Sequence, residues 1–168
     1  RSDIVLPPGT RSALVEITAH PGADIALDHV LLAPNAFQNG FQIGGYISGN
    51  WFNVDQDGSG FQIEATNTID AASGLPVMLA IWFTYTPDGS SRNWIYAQGT
   101  YDPTKATTTL PAFLSAGGKF PPSIQTSAVT AEPWGTLNFT FTGCNNGIVS
   151  WNSIVPGYGS GSLPIVRL

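Results

Sequence analysis

From Tyr46 onward, apolar residues in this chain recur at every second position, in short runs cut off by Gly, Pro, Asn or Asp. A period of two puts successive side chains on opposite faces of an extended strand. Phe61 to Thr66 shows it cleanly, with Phe61, Ile63 and Ala65 on one face and Gln62, Glu64 and Thr66 on the other. Gly135 to Thr142 repeats it, with Leu137, Phe139 and Phe141 against Asn138, Thr140 and Thr142. No stretch carries an apolar i, i+3, i+4, i+7 stripe bounded by caps. The 19 Gly and 13 Pro among 168 residues also argue against long helices. Pro76 to Thr86 departs from simple alternation by being apolar on both faces: Val77, Leu79, Ile81, Phe83 and Tyr85 against Met78, Ala80, Trp82 and Thr84.

The breaks between runs have turn chemistry. Pro87-Asp88-Gly89-Ser90 reads as a hairpin turn into Arg92 to Gln98, and Asn145-Asn146-Gly147 as a tight hairpin into Ile148 to Trp151. Tyr46 to Asn53, Thr107 to Phe113, Ile124 to Ala131 and Ser162 to Leu168 are further strand candidates. Residues 46–168 therefore hold about eight strands at roughly 8–15 residue spacing, which suits an antiparallel sandwich or barrel. Closure is favoured physically. Only 10% of the residues are charged, so few charges are available to protect sheet edges, and a closed ring has none. The expectation is an all-β chain: an antiparallel up-and-down eight-stranded barrel over 46–168. Residues 1–45 form an N-terminal β extension of one or two strands that caps the barrel or pairs with a partner. Asn39-Gly40-Phe41-Gln42-Ile43 echoes Ser59-Gly60-Phe61-Gln62-Ile63 and reads as a stray strand near the barrel mouth.

Several segments resemble a module of exported bacterial proteins that is itself largely uncharacterised. They are Gly49-Asn50-Trp51-Phe52-Asn53, Gly58-Ser59-Gly60-Phe61 to Glu64, Trp82-Phe83-Thr84-Tyr85 with Asp88-Gly89, and Trp94 with Tyr96. The end of that module resembles Gly135-Thr136-Leu137 to Cys144, then Gly159-Ser160-Gly161 to Arg167-Leu168. The pattern is of the kind G-x-W-[YF]-N, W-F-T-Y, W-Y, and covers nearly three quarters of the chain. Its opening is also similar to the first strand of avidin-type barrels. The resemblance implies an avidin- or lipocalin-like barrel; no biotin-binding residue carries over.

Charge narrows the partners. Six Lys and Arg against eleven Asp and Glu give a net charge of -5, which disfavours nucleic acid and anionic membranes. No apolar run approaches the roughly 18 residues of a membrane helix. The single cysteine, Cys144, allows no intramolecular disulfide and reads as a small buried side chain in a strand-end turn. Low charge, abundant Thr, Ser and Asn and the lack of disulfides suit an extracytoplasmic bacterial protein, whether periplasmic, cell-surface or secreted.

Three constellations bear on chemistry. Asn53-x-Asp55-x-Asp57-Gly58 with Glu64 nearly fits an EF-hand calcium loop, but strands rather than helices flank it. Asp55 and Asp57 are candidate calcium ligands in a non-EF loop, or solvated turn residues. The aromatic set Trp51, Trp82, Trp94, Tyr96, Trp134 and Trp151 reads either as core or as a stacking platform for a sugar or another flat ligand. In the platform version Trp82 and Trp94, on neighbouring strands, line one surface together, and Gln62, Asn93 and Gln98 orient the ligand. The candidate ligand-binding residues are thus Trp51, Gln62, Trp82, Trp94, Tyr96 and Gln98. Catalytic signals are poor. Asp28 and His29 point to opposite faces of a strand, and a carboxylate pair for glycoside hydrolysis would have to come from Glu16, Asp24, Glu64 or Glu132. Asn138-Phe139-Thr140 fits a glycosylation sequon but sits in a strand. The leading expectation is a non-enzymatic binding module, for a small molecule, glycan or protein segment at a barrel mouth or face. A surface assembly protein that self-associates through its N-terminal strand comes second, and a hydrolase third.

Overall fold

The computed structural model describes residues 40–123 and 126–168. They form β1 (Gly49–Phe52), β2 (Gly60–Ile69), β3 (Pro76–Tyr85), β4 (Arg92–Thr100), β5 (Thr107–Ala116), β6 (Thr130–Gly143), β7 (Asn146–Ser153) and β8 (Ser160–Arg167). Each strand pairs antiparallel with the next, and β8 returns to β1, giving a closed barrel in sequence order. The seam is short. Trp51 lies opposite Arg167 and Phe52 opposite Val166, and the Leu168 amide donates to the Asn50 carbonyl at 2.9 Å.

Two strand expectations change. The run Tyr46 to Asn53 shortens to β1, because Gly45–Ile47 is a 3-10 turn. The separate strand expected over Ile124 to Ala131 is absent from the described part of that range until Thr130. Residues Thr126–Ala128 form a 3-10 turn instead, and β6 then runs unbroken for 14 residues. Pro133 sits inside β6, where a residue without an N–H would normally interrupt the ladder. It is tolerated because the register slips there: Ala112 faces Gly135 and Phe113 faces Pro133, leaving Trp134 as an extra, bulged residue.

Alternation decides the interior. Ala80, Ala97 and Ala112 lie side by side across β3, β4 and β5 and are buried. The room left by this alanine band is taken by large side chains from the other strands: Trp51, Phe61, Trp134, Phe139 and Phe141, all buried. Phe61 of β2 reaches Phe139 of β6 across the barrel at 5.9 Å between ring centroids, nearly edge-to-face. Small against large gives the interdigitation that close packing requires. The interior of the barrel is thus occupied by side chains.

The segment before β1 belongs to this core. Ile43 and Ile47 are buried at the end of the barrel bearing the β2–β3, β4–β5 and β6–β7 turns. The Ile43 amide donates to Lys105 in the β4–β5 turn at 2.8 Å, the Arg167 guanidinium to the Tyr46 carbonyl at 2.7 Å, and Ser48 Oγ accepts the Ala65 amide at 2.9 Å. The Tyr46 hydroxyl donates to the Gln42 carbonyl. Burial, with Cys144 and Tyr101 nearby, pushes the Tyr46 phenol above its usual range. The expected N-terminal extension up to residue 39 lies outside the described residues, with Glu16, Asp24, Asp28 and His29 in it.

The alanine band yields a stability test. Ala97→Leu inserts three heavy atoms into a filled layer and is expected to lower stability by about 1–3 kcal/mol, read as a reduced urea midpoint. An unchanged midpoint would mean that the barrel centre holds unfilled space.

Candidate functional site

The outer wall of the barrel is two-sided in character. Over β5 and β6 it is built from Thr107, Thr109, Asn138 and Thr140, and Asn138 Nδ2 donates to Thr109 Oγ1 at 2.7 Å. Over β3 and β4 it is apolar and aromatic. The reason is β3, whose second apolar face has no core to enter once Met78, Ala80 and Trp82 have been buried. Leu79, Ile81, Phe83 and Tyr85 therefore face outward. Register sets their neighbours: Tyr85 opposes Arg92, Phe83 opposes Trp94, Ile81 opposes Tyr96, and Leu79 opposes Gln98. Tyr96 in turn opposes Phe113 on β5.

These pairs make an aromatic ladder. Phe83 and Trp94 are near-parallel (18°) with centroids 6.4 Å apart, and Tyr96 and Phe113 lie at 28° and 5.5 Å. Trp94 is 66% exposed, Phe83 45% and Tyr85 43%. Two shallow grooves flank Trp94. One of about 280 Å³ is lined by Gly58, Phe83, Thr84, Tyr85, Arg92 and Asn93. The other, of about 360 Å³, is lined by Leu79, Ile81, Asn93, Tyr96 and Ser115. Gly58 has to be glycine: its φ is +76°, and a Cβ there would stand 2.5 Å from the Tyr85 hydroxyl.

The six candidate ligand residues divide by face. Gln62, Trp94, Tyr96 and Gln98 share the outer wall of β2 to β4, where Gln62 opposes Ile81. Trp51 and Trp82 are core residues. Their indole N–H groups are already committed, Trp51 to the Ile47 carbonyl at 2.9 Å and Trp82 to Ser59 Oγ at 3.1 Å. Trp82 stacks on Phe61 at 5.0 Å and meets Trp134 and Trp151. Trp82 and Trp94 do not line one surface, as the sequence suggested. Register pairs Trp82 with Ile95 and Trp94 with Phe83, so the two indoles point to opposite faces of the wall. Asn93, expected to orient a ligand, donates to the Tyr158 hydroxyl at 2.6 Å. The residues that sequence reasoning missed are Leu79, Ile81, Phe83, Tyr85 and Phe113. The available signal was the two-faced apolarity of Pro76 to Thr86.

The calcium-like spacing does not converge. Asp55 and Asp57 are exposed in the β1–β2 turn. Asn53 is committed elsewhere, donating to the Pro164 carbonyl at 2.7 Å and accepting the Asp55 amide at 2.9 Å. Glu64 lies four residues along β2 from Gly60, roughly 13 Å away by strand rise. Among the described residues no group of three His, Cys, Asp or Glu gathers. Glu64 and Glu132 are both exposed, on β2 and β6, four strands apart in a ring of eight. They therefore sit on opposite walls rather than across a cleft. No helix among the described residues is long and apolar enough to cross a membrane.

No family model, curated protein or solved structure matches this chain.

The hairpin that presents Tyr85, Arg92 and Trp94 is held by Asp88. Its carboxylate accepts from Thr86 Oγ1 at 2.6 Å, from the Ser90 amide at 3.1 Å and from Ser90 Oγ at 2.9 Å. These hydrogen bonds, that of Thr86 first, pull its pKa from 3.8 down to about 2. A depressed carboxylate stabilises the fold above its unfolded value and loses that contribution as pH falls. Urea midpoints are therefore expected to decline between pH 4 and about 2, with the component due to Asp88 missing in Asp88→Asn. A second expectation concerns exposure. Iodide should quench a tryptophan component that disappears in Trp94→Phe, while stability changes by less than about 0.5 kcal/mol. Retention of that component would place another indole at the surface.

Proposed function

We propose that this chain is an exported, non-enzymatic binding module that recognises a ring-bearing small molecule or glycan on the outer wall of β3 and β4, rather than inside the barrel. The observation that carries this is the exposed Phe83–Trp94 pair, set beside Tyr85 and Tyr96 on a wall that Phe113 extends onto β5 before it turns polar at Thr107, Thr109, Asn138 and Thr140. Exposed apolar surface costs solvation and invites aggregation, so a contiguous patch on one wall alone calls for a use. Aromatic faces bind apolar ring surfaces, and the polar groups at the margins, Gln62, Arg92, Gln98 and Ser115, supply orientation. The filled interior argues against the lipocalin mode, in which the ligand sits inside. Export is supported by composition: few charges, many Thr, Ser and Asn, and one cysteine.

Assembly through the same wall is the second reading, favoured by its exposed apolar side chains. Pairing through the N-terminal strand concerns residues outside the described ones. Screening glycans and flat aromatic compounds by tryptophan emission tests the proposal. Binding should appear with the wild-type protein, weaken by about ten-fold or more in Trp94→Ala, and persist in Gln98→Ala at reduced selectivity. Trp82→Ala should instead cost about 3–5 kcal/mol of stability. Binding that survives loss of Trp94 would move the site off this wall.

A further inference from the structure

We infer that the ligand of this wall is an uncharged linear glycan that lies across Trp94 with a ring in each groove. The inference rests on the outer wall being the recognising surface and adds what that surface takes.

Three observations carry it. First, the two grooves share one ridge, because Trp94 lines both. A ridge between two similar hollows suits a ligand with repeating flat rings better than a single ring. Each hollow has an apolar floor and a hydroxyl at its edge: Phe83 with Tyr85 on one side, Ile81 with Ser115 on the other. A sugar ring has the matching surfaces, an apolar C–H face and a polar rim.

Second, the exposed aromatic strip is long and narrow. From Leu79 to Tyr85 it runs roughly 20 Å, and β3 to β5 span about 10 Å, so it projects onto about 200 Å². A long narrow strip fits a chain one ring wide.

Third, charge disfavours an acidic ligand. Among the described residues, Arg92 is the only charged one that lines either groove. The turns at the same end of the barrel carry Asp55, Asp57 and Asp88, all exposed. With Lys119 exposed in the β5–β6 loop at that end, three carboxylates stand against two cations, an excess of negative charge that disfavours uronates and sulfated sugars relative to neutral ones.

The test is a titration of the protein with neutral β-linked gluco- and manno-oligosaccharides of one to about six rings, alongside a uronic acid oligomer. Heat and protection of Trp94 from iodide are the readouts. Affinity should rise by about ten-fold or more between one ring and the shortest chain that reaches both grooves, then level off. Ser115→Tyr, which fills the second groove, should reduce long-chain affinity to the one-ring value. Trp94→Ala should abolish the length dependence, with circular dichroism confirming the fold of both variants. Length-independent binding that still needs Trp94, or tighter binding of the uronate, overturns the glycan-chain inference and leaves the platform standing. Binding indifferent to Trp94→Ala overturns both. Failure of every glycan, with flat aromatic compounds still held at Trp94, overturns the inference alone. Self-association in sedimentation that Trp94→Ala removes makes a second copy the occupant and also overturns it.

Discussion

The barrel is closed by two residue pairs of β1 and β8, and the rest of the architecture depends on that seam holding. An open sheet of eight strands with so few charges would present two unprotected edges. The seam is strengthened from both ends of the chain segment that makes it. Arg167, itself a seam residue of β8, reaches back to the Tyr46 carbonyl, and Leu168 donates to Asn50. Closure also fixes how much space lies inside. Eight strands enclose a volume that one inward set of side chains can fill, and here the alanine band on β3 to β5 makes room for the indoles and phenyl rings of β1, β2, β6 and β7.

A filled interior divides the tryptophans into two kinds. Trp51, Trp82 and Trp134 are structural. Two of them spend their N–H on a carbonyl and a serine hydroxyl, and all three pack against other rings. The bulge in β6 is what turns Trp134 inward, where it meets Trp82 and Tyr158 nearly edge-to-face. The Trp134 N–H is buried with no hydrogen-bond partner among the described residues. Trp94 is the other kind, a large apolar side chain left in water on a wall that a small change of sequence would have made polar.

That contrast gives the outer wall its interest. Next to it, β5 and β6 show the ordinary solution where Thr107 and Thr109 face Thr140 and Asn138, with polar residues outward and apolar residues inward. β3 abandons that solution along its length, and β4 matches it with Trp94 and Tyr96 at the same height. The hairpin turn that joins them is braced by Asp88, whose hydrogen bonds to Thr86 and Ser90 lie at the tip of the same unit. Presentation of the platform and stability of the turn are therefore coupled through one loop.

Period-two alternation in Phe61 to Thr66 and Gly135 to Thr142 was enough to read strands, inward faces and an all-β class from the residues alone. Low charge made closure the economical way to finish the sheet. The pairing of Asp88-Gly89 with flanking apolar runs located the β3–β4 hairpin. Local chemistry could not choose the register of that hairpin. With β3 apolar on both faces, burying Phe83 or burying Trp82 satisfies the hydrophobic pattern equally, and a slip of one residue exchanges them. Only the closed barrel decides, because the core accepts one face of β3 and Trp82 has Ser59 and Phe61 waiting there. Asn53, Asp55, Asp57 and Glu64 are the opposite case: the alternation of Phe61 to Thr66 already placed Glu64 on a strand, and the extended rise of β2 keeps it away from the turn. What the sequence by itself determined was the alternation, the turns and the class of fold, since these depend on neighbours within a few residues. Which aromatics became core and which became surface was left to tertiary structure, because that choice rests on pairings between strands that meet only when the ring closes.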